Sequence, residues 1–229
     1  MGPHCERMTR TPDVLIFDMF GVIADNQSQA SRSRLVVTAS VPEADFWAAY
    51  WALRPPYDRG DVTGLHYWTS VAERLNTTFN IVQKHDLIAH DVASWAMVDD
   101  RMIELLEELS ATTRLAILSN IPYEIANHYI ARHRWLDLFE VRAFSHHMGF
   151  AKPDPDAYKW CLNELGIEPR QALFVDDRAE NIRAAAKIGL QGHLFRSPEA
   201  LIHCLSSGPN QILPLSKLAH RPQINGRLV

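Results

Sequence analysis

Four stretches of the 229-residue chain end an apolar run on residues that could do chemistry. Val14–Phe17 leads to Asp18, Leu115–Leu118 to Ser119-Asn120, Val141–Phe144 through Ser145 to Lys152, and Leu173–Val175 to Asp176-Asp177. A carboxylate at a strand end can attack a phosphoryl group in line. Charge on the transferring group must then be neutralised, a task suited to Lys152, the Ser119 hydroxyl, backbone N–H groups and a metal. Mg²⁺ prefers hard oxygen ligands, often carboxylates together with phosphate and water. Asp18 and Asp177 can supply them, with Asp176 as a further ligand or as support behind one. A lysine among three carboxylates lowers their pKa values, so Lys152 is expected to keep Asp18 ionised. Asn181 falls one turn along the helix after Asp177, where it can orient the acidic pair or Lys152. Asn120 can position substrate or fix its loop.

Taken singly, these residues have plainer roles. Asp18 could cap a helix, Ser119 could be a turn hydroxyl, and Lys152 before Pro153 could be a solvated loop charge. Asp176-Asp177 could complement the dipole of a helix beginning near Arg178. The convergence of polar residues from four strand ends is what argues for a site.

The elements that must carry them alternate. A fifth apolar run, His193–Phe195, follows the other four, and helical patterns lie between the later runs at Asp99–Leu109, Ile121–Arg132, Pro155–Leu165 and Ala179–Ile188. Gly166 and Gly189 stand where glycine would end the last two. Strands alternating with helices imply βαβ units and a parallel sheet covered on both faces. The expected fold is α/β, a Rossmann-like parallel sheet sandwiched by helices, and ligands bind beyond the carboxyl ends of such strands. Residues 27–98 break the alternation with tryptophan-rich helical stripes, A-D-F-W-A-A-Y-W-A-L and T-G-L-H-Y-W-T-S-V-A-E-R-L. Between them P-P-Y-D-R-G-D reads as a turn-rich break. The expected organisation is a core of residues 13–26 and 99–205, an inserted helical subdomain of residues 27–98 over the strand ends, and terminal tails of residues 1–12 and 206–229.

Composition narrows the partners. Lys plus Arg number 23 against 27 Asp plus Glu, a formal charge of −4 that offers no basic surface for nucleic acid or membrane. No stretch approaches the ~18 consecutive apolar residues of a membrane span, and the polar N-terminus lacks a signal-peptide core. The three cysteines, Cys5, Cys161 and Cys204, show no C-x-x-C spacing, against a disulfide framework or structural zinc. These features point to a cytoplasmic protein with a small-molecule ligand, and they leave its oligomeric state open.

The ordered motifs D-M-F-G-V, L-S-N, G-F-A-K-P-D-P and V-D-D-R-A-E-N resemble those of the haloacid dehalogenase-like hydrolase superfamily, over roughly residues 13–196. The helical insertion directly after the first motif is similar to that superfamily's helical cap. The resemblance implies a hydrolase in which Asp18 is phosphorylated and Mg²⁺ is bound by Asp18, the backbone carbonyl of Phe20, Asp176 and Asp177. Ser119, Asn120 and Lys152 would bind substrate, which implies a phosphorylated small molecule. The family's second Asp, a general acid and base, is replaced here by Phe20. Losing such a group typically costs ~10²–10⁴-fold in rate.

Three outcomes are compatible with Phe20. The first is a phosphatase working without that Asp, similar to the branch of bacterial alpha-glucose-1-phosphate phosphatases and acting on a sugar phosphate. Another group could substitute: Asp25 is near in sequence, although a polar flap position is its commoner role, and Asp58, Arg59, Asp61 and His66, in and after the turn, could reach substrate, although solvation is their commoner fate. The second is a 2-haloacid dehalogenase, which similarly carries an aromatic residue at this position; Arg54 would lie on the halide side, and Asp176-Asp177 argues against it. The third is a non-catalytic protein that binds a phosphorylated ligand. Trp47, Trp51 and Trp68 are expected to be core residues, and any one facing the site would be a sugar platform.

Overall fold

A computed structural model describes residues 11–206. The elements run β1 Val14–Phe17, α1 Gln29–Ala39, α2 Glu43–Asp58, α3 Gly64–Arg74, α4 Ile81–Ser94, α5 Asp100–Ser110, β2 Arg114–Ser119, α6 Tyr123–Arg132, β3 Val141–Phe144, α7 Ser145–Met148, α8 Pro155–Leu165, β4 Ala172–Asp176, α9 Ala179–Lys187, β5 Gln191–Leu194 and α10 Pro198–Ser206. The sheet is parallel throughout, in the order β3-β2-β1-β4-β5. Residues 1–10 and 207–229, which hold most of both expected tails, lie outside the described residues.

Successive strand residues face opposite sides, and each side is covered. Leu15 and Phe17 pack with Met102, Leu106 and Leu109 of α5 and Ile125 of α6, while Val14 and Ile16 pack with Tyr158 and Leu162 of α8 and Ala185 of α9. A strand buried on both faces reads as a continuous apolar run, which is why Val14–Phe17 and Leu115–Leu118 are recognisable from sequence. β5 begins earlier than its apolar residues imply. Gln191 and Gly192 pair with Leu173 and Phe174 of β4, and a Cβ on Gly192 would lie 2.7 Å from Ile182 Cγ2. Close strand–helix approach, rather than strand propensity, selects the glycine.

α6 starts at Tyr123, two residues later than expected, because residues before proline disfavour helical backbone and Pro122 takes the N-cap position. The larger correction concerns P-P-Y-D-R-G-D. α2 continues through Pro55 and Pro56 to Asp58, and the chain turns only at Gly60, φ +79°. The extra turn places Arg54 and Asp58 four residues apart on one helix face.

Helices α1–α4 surround an apolar cluster of their own that includes Phe46, Trp47, Tyr50, Tyr67, Trp68 and Leu87. Glu124 of α6 ties them to the sheet region, accepting from Tyr57 Oη at 2.9 Å and from Gly64 N at 2.8 Å. Ser145 Oγ donates to the Asp58 carbonyl. Cys161 is a buried free thiol, whereas Cys204 is disulfide-bonded, so an odd cysteine count does not by itself exclude a disulfide. No helix among the described residues is long and apolar enough to cross a membrane.

Candidate active site

The parallel register brings the strand ends together. Phe17 pairs with Ile117 and Val175, and Asp18 N donates to Val175 O at 2.8 Å, so Asp18 emerges from the central strand beside the end of β4. Its Oδ1 accepts from Met19 N at 2.6 Å and from Lys152 Nζ at 2.7 Å, leaving Oδ2 open. Lys152 Nζ also reaches Asp176 Oδ2 at 2.8 Å. Carboxylate oxygens of Asp18, Asp176 and Asp177 lie within 4.8 Å of one another.

Both oxygens of Asp176 are occupied. Arg178 N donates to Oδ1 at 2.8 Å, and Asn181 Nδ2 spans the carboxylate at 3.1 and 2.9 Å. Of the roles open to Asn181, the structure therefore shows contact with Asp176. Asn120 clasps the lysine loop, its Nδ2 donating to Lys152 O and its Oδ1 accepting from Lys152 N, both at 2.8 Å. That is loop fixing, while the Asn120 side chain also lines the cavity. Ser119 Oγ and Asp177 Oδ1 are buried without a hydrogen-bond partner among the described residues. Such groups are costly unless something else engages them.

The electrostatics depart from expectation. Burial pushes the Asp18 carboxyl up to about 7, with Lys152 opposing and Asp176 reinforcing the shift. Asp177 is raised too, by burial first and Asp176 second. Lys152 does not outweigh desolvation, so it does not by itself keep Asp18 ionised. Three carboxylates around one ammonium carry a formal charge of −2, and a divalent cation would balance it. Oxygen donors, that charge and the open Asp177 Oδ1 fit Mg²⁺. Binding requires the ionised carboxylate and hence proton release. Mg²⁺ affinity is therefore expected to rise about tenfold per pH unit below about pH 7 and to level off above it, as isothermal titration at several pH values would show. A flat profile from about pH 5.5 to 8.5 would contradict the elevated Asp18 pKa.

Gly21 adopts φ +80°, and a Cβ there would lie 2.3 Å from Asp177 Oδ2. Only glycine fits both constraints. Gly21→Ala is expected to displace Asp177 and weaken Mg²⁺ binding by ~10–100-fold, the range seen when groups supporting a metal ligand are lost. Undiminished Mg²⁺ affinity in a folded Gly21→Ala variant would refute this.

The Phe20 ring turns toward aromatic packing, 4.8 Å from Trp95 and 6.0 Å from Tyr129 between centroids. With Trp51 and Trp95 it lines a cavity of ≈ 470 Å³ that also meets Asp18, Lys152, Arg54 and Asp58. Trp47 and Trp68 are core residues as expected, but Trp51 is 46% exposed and faces this cavity. Arg54 is buried in ion pairs with Asp58 at 2.6 Å and Asp91 at 3.1 Å. Arg59 and Asp61 form an exposed pair at 2.7 Å, and Asp25 and His66 are exposed. The cavity residues Trp51, Arg54 and Asp58 share one face of α2. Their i, i+3, i+7 spacing was the signal, and the two prolines obscured it.

Fold and site together define an α/β protein with an acidic, lysine-clamped centre at the carboxyl edge of its sheet. A family model, haloacid dehalogenase-like hydrolase, matches residues 12–189, and the chain belongs to that family. It is similar to flavin mononucleotide hydrolase 1 of Arabidopsis thaliana, 32% identical over 119 residues, covering 50% of this chain and 47% of the relative. It is also similar to a sesquiterpene phosphatase of Aspergillus oryzae, 34% identical over 101 residues, covering 43% of this chain and 52% of the relative. The chain thus spans about half the length of these curated relatives. A HAD family enzyme of Bacteroides thetaiotaomicron shares the fold with TM-score 0.72 and 18% identity, over 85% of this chain and 98% of that one. That enzyme has also been solved in complex with magnesium and inorganic phosphate.

Proposed function

We propose that the protein is a Mg²⁺-dependent phosphomonoester hydrolase acting through a phosphorylated Asp18. The observation that carries this is the open Asp18 Oδ2 beside a buried lysine and two further carboxylates. Asp18 Oδ2 attacks phosphorus in line, the ester oxygen leaves, and water later hydrolyses the aspartyl phosphate. Lys152 and the unpartnered Ser119 hydroxyl take up charge on the phosphoryl oxygens. Mg²⁺, held by Asp18, the Phe20 carbonyl and Asp177 with Asp176 behind them, supplies further charge neutralisation when bound. Asn181 and Arg178 N hold Asp176, and Asp176 with Asp18 holds Lys152.

Residues 27–98 serve as the cap that receives the alcohol portion. Trp51, an exposed aromatic side chain lining the cavity, supports a cyclic alcohol such as a sugar; phosphatases among the relatives support the phosphoester. Phe20 favours a second reading, a 2-haloacid dehalogenase, but two additional carboxylates beside Asp18 would repel a carboxylate substrate.

Phosphate release from p-nitrophenyl phosphate and a panel of sugar phosphates, with Mg²⁺ and with EDTA, tests the proposal. Metal-dependent release is expected. Silence toward every phosphoester, with chloride released from 2-chloropropionate in EDTA, would mean the dehalogenase instead.

A further inference from the structure

Hydrolysis through Asp18 requires a proton for the leaving alkoxide and a base for the attacking water. Phe20 can supply neither. Among the residues lining the cavity, the carboxyl groups are Asp18, Asp177 and Asp58, and the first two already have roles as nucleophile and metal ligand. Building on the phosphomonoesterase reading above, we infer that Asp58 is the general acid and base, supplied from the helical insertion in place of the residue missing at Phe20.

Its placement supports this role. Asp58 ends α2 and lines the same cavity as Asp18 and Lys152. Arg54 Nε donates to its Oδ1 at 2.6 Å, which fixes the carboxyl while leaving Oδ2 without a hydrogen bond from a described residue. Arg54 is itself held by Asp91 and the Tyr50 hydroxyl, so the orientation is imposed by a buried network. The main chain is fixed as well. Ser145 Oγ donates to the Asp58 carbonyl and accepts from Ile121 N at 2.8 Å, linking the last turn of α2 to the loops after β2 and β3. The acid is thus anchored to the strand ends that carry the nucleophile's partners. Asp25, Asp61 and His66 lack this placement, since none of the three lines the cavity.

The role requires Asp58 to be protonated in the first step and ionised in the second. The Asp58 side chain is 16% exposed. Burial raises its pKa, Arg54 and Arg59 oppose the shift and Asp91 adds to it. Across the cavity stand Lys152, Asp177 and Arg178. In the first step the P–O(ester) bond breaks as the Asp18 Oδ2–P bond forms, and the Asp58 proton passes to the departing oxygen, giving a neutral alcohol and a carboxylate. In the second step that carboxylate accepts a proton from water as its oxygen attacks phosphorus. Phosphate leaves, Asp18 is regenerated and Asp58 is again protonated.

Leaving-group dependence tests the assignment. Nitrophenolate leaves without protonation, whereas the alkoxide of benzyl phosphate needs a proton. With the Mg²⁺-loaded full chain, Asp58→Asn is expected to lower kcat for benzyl phosphate by ~10²–10³-fold. With p-nitrophenyl phosphate the same variant should release one equivalent of nitrophenolate in a burst and then turn over slowly, because the phosphoenzyme lacks its base. The wild type is expected to lose kcat on benzyl phosphate at high pH; that decline should be absent in Asp58→Asn, and Asp58→Glu should recover part of the rate. Equal losses on both esters with no burst would reduce Asp58 to a support for Arg54 and overturn the assignment. A wild type active on p-nitrophenyl phosphate whose Asp58→Glu is as impaired as Asp58→Asn would also count against it. A wild type silent toward both esters would overturn the phosphatase reading and this inference with it.

Discussion

Asp18→Asn is expected to lower phosphate release by at least ~10⁴-fold while leaving the fold intact, because a nucleophile that works as part of a unit carries most of that unit's effect. The substitution is nearly isosteric. The introduced amide could still accept from Met19 N and Lys152 Nζ through its oxygen, as Asp18 Oδ1 does at 2.6 and 2.7 Å. It would present a nitrogen where Oδ2 is open, and an amide does not attack phosphorus. It would also remove one of three clustered carboxylates, so weaker Mg²⁺ binding should accompany the lost turnover. Saturating Mg²⁺ separates the two effects: restored binding without restored turnover marks the nucleophile. A folded Asp18→Asn variant retaining a tenth of the wild-type rate would leave Asp18 as a metal ligand only.

Lys152→Met should be the most destabilising change in the site. The Lys152 side chain is 1% exposed and lies between Asp18 and Asp176, whose side chains are 9% and 0% exposed. Methionine fills much of the same volume, so the loss is chiefly one of charge. Removing one partner of a buried ionic cluster costs ~3–5 kcal/mol, because the charges left behind remain desolvated. The pH dependence follows from linkage. The Asp18 carboxyl already stands at about 7 in the folded protein against an ordinary 3.8, so the folded state binds more protons than the unfolded state between those values. Stability from this group is therefore greatest below about pH 4 and declines as pH rises through about 7. Without Lys152 the folded pKa climbs further. The penalty of Lys152→Met should accordingly be large at about pH 8 and much smaller at about pH 5. Urea unfolding of both proteins at the two pH values measures it, and a pH-independent difference would show that Lys152 contributes packing rather than charge. Turnover should fall by ~10²–10³-fold, as when a donor to transition-state charge is removed.

The strand-end residues were legible because buried parallel strands leave continuous apolar runs, and whatever ends such a run lies at the sheet's carboxyl edge. Asp18, Ser119, Lys152 and Asp176-Asp177 follow from that rule. Asn181 followed from helical spacing, and its contact with Asp176 needed only one turn of helix. Other features depend on contacts that spacing does not reveal. The Asn120 clasp on Lys152 joins two loops 32 residues apart. The upward shift of Asp18 reflects the balance of burial against one lysine, and sequence gives the lysine but not the burial. Trp51, Arg54 and Asp58 lay on one helical face, yet Pro55-Pro56 reads locally as a break, and only packing of Tyr50 and Tyr57 in the buried cluster around α2 overrides it. The two prolines thus concealed the cavity's opposite wall, including the carboxyl assigned to proton transfer.

The most direct test of a phosphorylated Asp18 is to trap it. Enzyme mixed with p-nitrophenyl phosphate and Mg²⁺ would be quenched in acid within the first turnover, reduced with borohydride, digested and mapped by mass spectrometry. The account predicts modification at Asp18 alone, enriched in Asp58→Asn, whose phosphoenzyme should hydrolyse slowly, and absent in Asp18→Asn. Turnover with no trapped Asp18 in either the wild type or Asp58→Asn, or a label on another residue, would contradict it.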